Sequence, residues 1–206
     1  MEEVLDVYKR PYDPKRPQVC FDERPKQLIS EIRRPIPARP GRLLRYDYEY
    51  KRNGVANIFM MFEPLAGRRH VKVTERRTKR DWAWCMRRLV DEIYPEAEVI
   101  VLVMDNLNTH KKASLYEAFE PGEAKRIADK LEIHYSPKHG SWLNMAEIEM
   151  SVMSRQCLSE RMDNVGRLDA EASAWAERRN ARDSKVDWRF TTADARIKLK
   201  KLYPAI

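Results

Sequence analysis

The sequence predicts a mixed α/β fold in which an antiparallel three-strand meander joins parallel strands, with helices on both faces of the sheet. Three patterns lead to it. Val99 to Met104 is an unbroken apolar run, the mark of a strand covered on both sides. Before it lie segments rich in β-branched and aromatic residues, separated by turn signals. Around it lie stretches with helical apolar spacing. In chain order, residues 1–16 read as an extended lead-in, and "PQVCFDE" (17–23) as a strand ending in two acids. The following "RPKQLISEIRRPIPARPGR" is too proline-rich for a long helix and reads as a basic loop with one short helical turn. "LLRYDYEYKRNGVANIFMMFEP" and "RRHVKVTER" supply the other meander strands, with turn signals at Asn53-Gly54 and between Pro64 and Gly67. A helix over 78–95 carries Trp82, Cys85, Leu89 and Ile93 on one face, and Pro95 stops it. Pro121 opens a second helix with a stripe of Ala124, Ile127, Ala128 and Leu131. "EIHYS" is a short strand, "SWLNMAEIEMSVMSRQCL" a helix, and the chain closes on a helix around "LDAEASAWAERRNA" and a basic tail.

The bulk composition narrows the class of function. The 206 residues suffice for one domain with a real core, and the net charge of +8 favours polyanionic partners, nucleic acid first. No apolar run reaches a membrane span, and the charged N-terminus lacks a signal-peptide core. Cys20, Cys85 and Cys157 are odd in number and set among apolar residues, as expected of reduced core thiols in a cytoplasmic protein. With no CxxC pair, structural zinc is not expected.

The acids suggest a site. In open α/β sheets functional groups collect at the carboxyl ends of strands. Asp22 closes the first strand and Asp105 the central one; were those strands neighbours, two carboxylates would lie side by side. Proteins keep such a pair mainly for a cation or a shared proton, and carboxylate oxygens suit Mg²⁺ or Mn²⁺. A third acid is expected from the helix after "SWLN", where Glu147 and Glu149 point about 200° apart. Glu147 shares its face with Ser151 and Ser154, Glu149 lies between Met145 and Met153, and geometry leaves both open. Asn144-x-x-Glu147 also fits a capping box, which would give Glu147 a structural role. Asn106 and His110 have the chemistry to orient water or phosphate, and equally to hydrogen-bond a turn. His134 and His139 are assigned to a strand and a loop, Trp82, Trp84 and Trp142 to the core. Nine Lys and Arg between Arg68 and Arg88 become phosphate contacts with a DNA substrate, and an ordinary solvated face without one.

Taken together, "FDE", "MDNLNTH" and "HGSWLNMAEIE" resemble the motifs of DDE transposases, in the insertion-sequence-630 branch of the mariner superfamily. The resemblance runs from about residue 17 to "DWRFTTADARIKLKKLYP". It implies a ribonuclease-H-like catalytic domain over 17–160, with 161–206 as a helical and basic extension. It carries the catalytic, metal-binding acids over to Asp22, Asp105 and Glu147, with Asn106, His110 and Asn144 as supporting residues. It also implies two Mg²⁺ or Mn²⁺ ions, with Asp22 bridging them, and cleavage at the ends of a bacterial insertion sequence followed by joining to target DNA. Double-stranded DNA is then the partner, a homodimer the assembly, and the bacterial cytoplasm the location. The interval from Asp105 to Glu147 is longer than is usual for the superfamily, and "FEPGEAKRIADK" accounts for it with a helix. The family's end-binding helix-turn-helix is not found in this sequence and is expected from a separate or upstream region. A stand-alone nuclease and a non-catalytic DNA-binding or dimerisation remnant are the alternatives. Under the family reading Glu149 pairs with a basic side chain at the margin of the core.

Overall fold

The computed structural model describes residues 1–138 and 140–203. Its five strands are β1 (Gln18–Glu31), β2 (Tyr50–Glu63), β3 (Arg68–Thr74), β4 (Ile100–Met104) and β5 (Leu131–Tyr135), in the sheet order β3-β2-β1-β4-β5. The first three pair antiparallel, while β4 runs parallel to both β1 and β5. The helices are α1 (Glu2–Tyr8), α2 (Lys79–Arg88), α3 (Pro121–Asp129), α4 (Met145–Gln156), α5 (Val165–Asn180) and α6 (Thr192–Lys198). Among the described residues no helix is long and apolar enough to cross a membrane.

The period-2 alternation of the strands divides the apolar residues between two layers. Cys20, Ile58, Met60, Phe62, Val101 and Val103 face α1, α4, α5 and α6. Val19, Phe21, Phe59, Met61, Leu102 and Met104 face α2 and α3. All of β4 is buried, as its unbroken apolar run requires. Local chemistry sets the helix starts: Thr78 with Asp81 and Thr191 with Asp194 form capping boxes, Pro121 opens α3, and Asn164 caps α5. α2 continues into a wide π-turn over Leu89–Ile93, just before Pro95. Leu131, expected at the end of the α3 stripe, instead begins β5.

Several expectations are corrected. Residues 2–8, expected to be extended, form α1, which sinks Val4, Leu5, Val7 and Tyr8 into the same core as α4 and α5. Residues 24–31, expected to be loop and helical turn, continue β1, so Asp22 and Glu23 lie within a long strand rather than at its end. Pro25 is tolerated there because β1 pairs with β4 only through Cys20 and is an edge strand beyond it. Asn53-Gly54 is no turn: β2 carries one extra residue opposite Leu28, and Gly54 takes it at φ +98°. Trp82 is buried, but Trp84 and Trp142 are 54% and 38% exposed and not core residues.

The most consequential packing is ionic. Glu149 is buried, accepting from Arg69 Nε at 2.7 Å and Arg179 Nη2 at 2.8 Å. The Arg69 guanidinium is itself buried, lies 4.4 Å from the Phe62 ring centroid, and donates to the carbonyls of Gly67 and Ser184. The cluster thus joins α4, β3 and α5, and Glu149 sits deeper than the core margin expected for it. Removing one partner from such a group strands buried charge, at about 3–5 kcal/mol. Glu149→Gln should therefore lower stability by about that amount, measured by urea unfolding; a loss under about 1 kcal/mol would show the cluster to be dispensable.

Candidate active site

The parallel ladder of β1 and β4 ends at Cys20 opposite Val103. Two residues further along each strand come Asp22 and Asp105, so the register brings them side by side. Alternation turns Asp22 toward the layer of Cys20 and Val103, which is the layer of α4, while Asp105, one residue past β4, is bonded to His110. Asp22 is held on one side by β2, opposite Met60, and accepts from the Glu23 backbone N–H at 2.9 Å.

Asn144 aims α4 at this point. Its Oδ1 accepts from Ala146 N at 3.1 Å as the helix cap, and its Nδ2 donates to the carbonyl of Phe21, next to Asp22, at 2.8 Å. The capping box expected of Asn144 and Glu147 does not form: the Asn144 cap is taken by Ala146, and the Glu147 carboxylate makes no hydrogen bond among the described residues. Glu149 points the other way, into its arginines. Burial pushes the Asp22 carboxyl up to about 7 against the pull of the Glu23 N–H, and the charges of Glu23, Glu147 and Asp105 push it further.

Glu23 escaped the sequence reading as a site residue. With its neighbours Phe21 and Val19 it faces the other layer, and there it meets His110. The His110 ring, 1% exposed, joins Asp105 Oδ1 through Nδ1 at 2.5 Å and stands 3.0 Å from Glu23 Oε2 through Nε2. The second contact lies off the line of a well-directed hydrogen bond and is an ion pair. Burial opposes charge on this imidazole, but the two carboxylates prevail and raise it to about 9. Among the described residues, Glu23, Asp105 and His110 are the acids and imidazole whose ligand atoms all lie within 4.8 Å of one another. Asp22, Asp105 and Glu147 do not converge that tightly. The only sequence signal for Glu23 was its place beside Asp22 in "FDE".

Asn106 is exposed and lines an open groove of about 620 Å³ with Asp105, Ser136 and Ser141. A second groove of about 540 Å³ between β3, α2 and α5, lined by Val71, Trp84 and Arg88, includes none of the three acids and does not mark the chemistry. His134 lies on β5 as expected and bonds Glu3 and Glu132, while His139 lies outside the described residues. Much of the Arg68–Arg88 charge is already paired: Arg69 with Glu149, Arg77 with Glu23, Lys79 with Glu117, and Arg87 with Asp91 and Glu123.

The five-stranded mixed sheet with helices on both faces has the ribonuclease-H-like fold. The family described as DDE superfamily endonuclease matches residues 17–169, and the chain belongs to it. Among solved structures, the Mos1 mariner paired-end complex with Mn aligns over 89% of this chain at 15% identity, with a TM-score of 0.57. A pre-cleavage Mos1 transpososome aligns over 90% at 15% identity with a TM-score of 0.37, too low to bear on the fold. The chain spans 55% of the length of the first Mos1 chain and 60% of the second. No curated protein matches the sequence.

The Asp22 shift has a thermodynamic consequence. A carboxyl raised from 3.8 to about 7 binds its proton more tightly in the folded chain, so its contribution to stability is lost as pH rises through that window. In metal-free solution Asp22→Asn should raise Tm at pH 8 by several degrees, at about 2–4 °C per kcal/mol for a chain of this size, and by little at pH 4. Calorimetry in chelator would check this, and an equal or opposite effect at the two pH values would show that Asp22 is not repelled.

Proposed function

We propose that the chain is the catalytic domain of a transposase of the insertion-sequence-630 branch, cleaving DNA at element ends and joining it to target DNA. What supports this reading is the register of β1 and β4, whose last pair, Cys20 opposite Val103, stands two residues before Asp22 and Asp105, with Asn144 tying the start of the Glu147 helix to the Phe21 carbonyl. We assign Asp22, Asp105 and Glu147 as the catalytic and metal-binding acids, with Asn106, His110 and Asn144 in support.

The donor set fits a hard divalent cation. Three carboxylates offer only oxygen, Asp22 is raised partly by its acidic neighbours, and Glu147 has no hydrogen-bond partner among the described residues. Mn, named in the Mos1 complex, is a cation of this class. Two Mg²⁺ or Mn²⁺ ions held there would activate the attacking hydroxyl and neutralise charge on the leaving oxygen. The chain's own groups supply position: Asn144 fixes where α4 begins, His110 holds Asp105, and surface arginines grip phosphate without reading sequence. Double-stranded DNA is the partner, with a homodimer as the working assembly in the bacterial cytoplasm. Recognition of the element ends is assigned to a helix-turn-helix region outside these 206 residues.

Mn²⁺-dependent nicking of a plasmid, with joining of pre-cut ends scored separately, tests the reading. Glu147→Gln should keep its melting temperature yet lose cleavage by more than about 100-fold, beyond what losing a merely supporting partner costs. Cleavage surviving in Glu147→Gln would remove that residue from the site. Hydrolysis products without joined ones would identify a stand-alone nuclease instead.

A further inference from the structure

We propose that Glu23 and His110 form a buried positioning relay that takes up one oxygen of Asp105 and so leaves the other as its single working oxygen. The proposal rests on Asp105 being a catalytic acid. The Asp105 side chain is 36% exposed at the groove, whereas the imidazole holding its Oδ1 is buried. The ring is clamped from several directions. Phe21 lies edge-on at 5.3 Å between centroids, Trp82 lies at 6.2 Å, and the Tyr135 hydroxyl donates to the His110 carbonyl at 2.8 Å. The His110 backbone N–H is tied to the Leu107 carbonyl at 3.1 Å. A ring fixed in this way cannot follow Asp105, so Asp105 must follow the ring.

The second nitrogen completes the relay. Nε2 faces Glu23, whose side chain is as buried as the imidazole and is steadied by Arg77 Nη1 at 3.3 Å. Both ring nitrogens therefore meet carboxylates, and the imidazole bridges two acids without presenting a free lone pair to a cation. This makes the close group of Glu23, Asp105 and His110 a bridge of two carboxylates through one ring rather than a set of metal ligands. Buried ion pairs contribute little net stability over apolar packing, so stability alone gives no reason for a buried carboxylate here. Orientation of a ligating side chain by an outer partner does, because such partners set affinity and geometry.

The test uses the full chain with duplex DNA. Mn²⁺ binding is read by electron paramagnetic resonance of the free ion, alongside the Mn²⁺ dependence of nicking, its maximal rate, and melting temperature. His110→Ala should raise the half-saturating Mn²⁺ concentration by about 10–100-fold, while the maximal rate at saturating Mn²⁺ falls far less. His110→Asn, whose amide can donate from near the Nδ1 position, should recover most of that loss, and Glu23→Gln should fall between. Unchanged Mn²⁺ dependence in His110→Ala, or an asparagine variant no better than alanine, overturns the relay; an unshifted Glu23→Gln removes Glu23 from it. Should His110→Ala fail to fold, the asparagine and Glu23→Gln variants decide. A wild-type chain that binds Mn²⁺ without cutting DNA refutes the transposase reading, and the binding shifts still judge the relay. One that does neither overturns both.

Discussion

The rotation of α4 about its own axis is the constraint on which the candidate site depends, and one buried acid sets it. Glu149 is drawn inward by Arg69 from β3 and Arg179 from α5, with Met145, Met150 and Met153 packed beside it. Two residues along a helix turn about 200°, so fixing Glu149 toward the arginines turns Glu147 away from them. Asn144 then fixes the helix start against the backbone beside Asp22. Rotation and position together aim Glu147; neither anchor would suffice alone, because a helix held only at its cap can still turn.

The sheet supplies the other half of the geometry. β1 serves two partners of opposite direction: it follows β2 through Glu31 but leaves β4 after Cys20. Where β4 ends, the next residues on its side of β1 lose their neighbour, and a crevice opens at the carboxyl end of the parallel pair. Alternation sends Asp22 to the α4 side of this crevice and Glu23 to the α2 side. Two adjacent acids thus acquire opposite fates. Asp22 is pushed up to about 7 by burial first and by other carboxylates second, while Glu23 meets His110 and Arg77, which balance its charge. The strain of like charges is confined to one face, where a cation can relieve it.

Much of this was legible because it is local. The apolar run of β4 and the opening of α3 at Pro121 follow from short-range pattern, and the acids pointed to a shared site on the condition, met here, that β1 and β4 are neighbours. What failed depends on distant partners. α1 was hidden because its apolar residues are interspersed with charges and find their core only in α4 and α5. β1 seemed to stop before Pro25, since a proline breaks a central strand, and nothing local shows that β1 is an edge there. Glu23 drew no role of its own because its partner His110 lies in a loop beyond β4, and no periodicity links the two.

Charge is the property that composition described least well. The Arg68–Arg88 cluster looked like the natural surface for a polyanion, yet Arg69 is a core residue and Arg88 donates to the carbonyl of Val71. Arg77 serves Glu23 beneath the site. Positive charge spent on internal carboxylates and carbonyls is not available to phosphate. The segment between β1 and β2 is different: Arg34, Arg39, Arg42 and Arg45 are exposed and have no acidic partner among the described residues. It folds back on itself through the Ile36–Arg45 and Arg39–Arg42 bridges, with Gly41 at the tip in the left-handed region. The net charge of +8 is therefore unevenly usable, with a block of unpaired charge on this hairpin, whereas several cations of the Arg68–Arg88 cluster are paired.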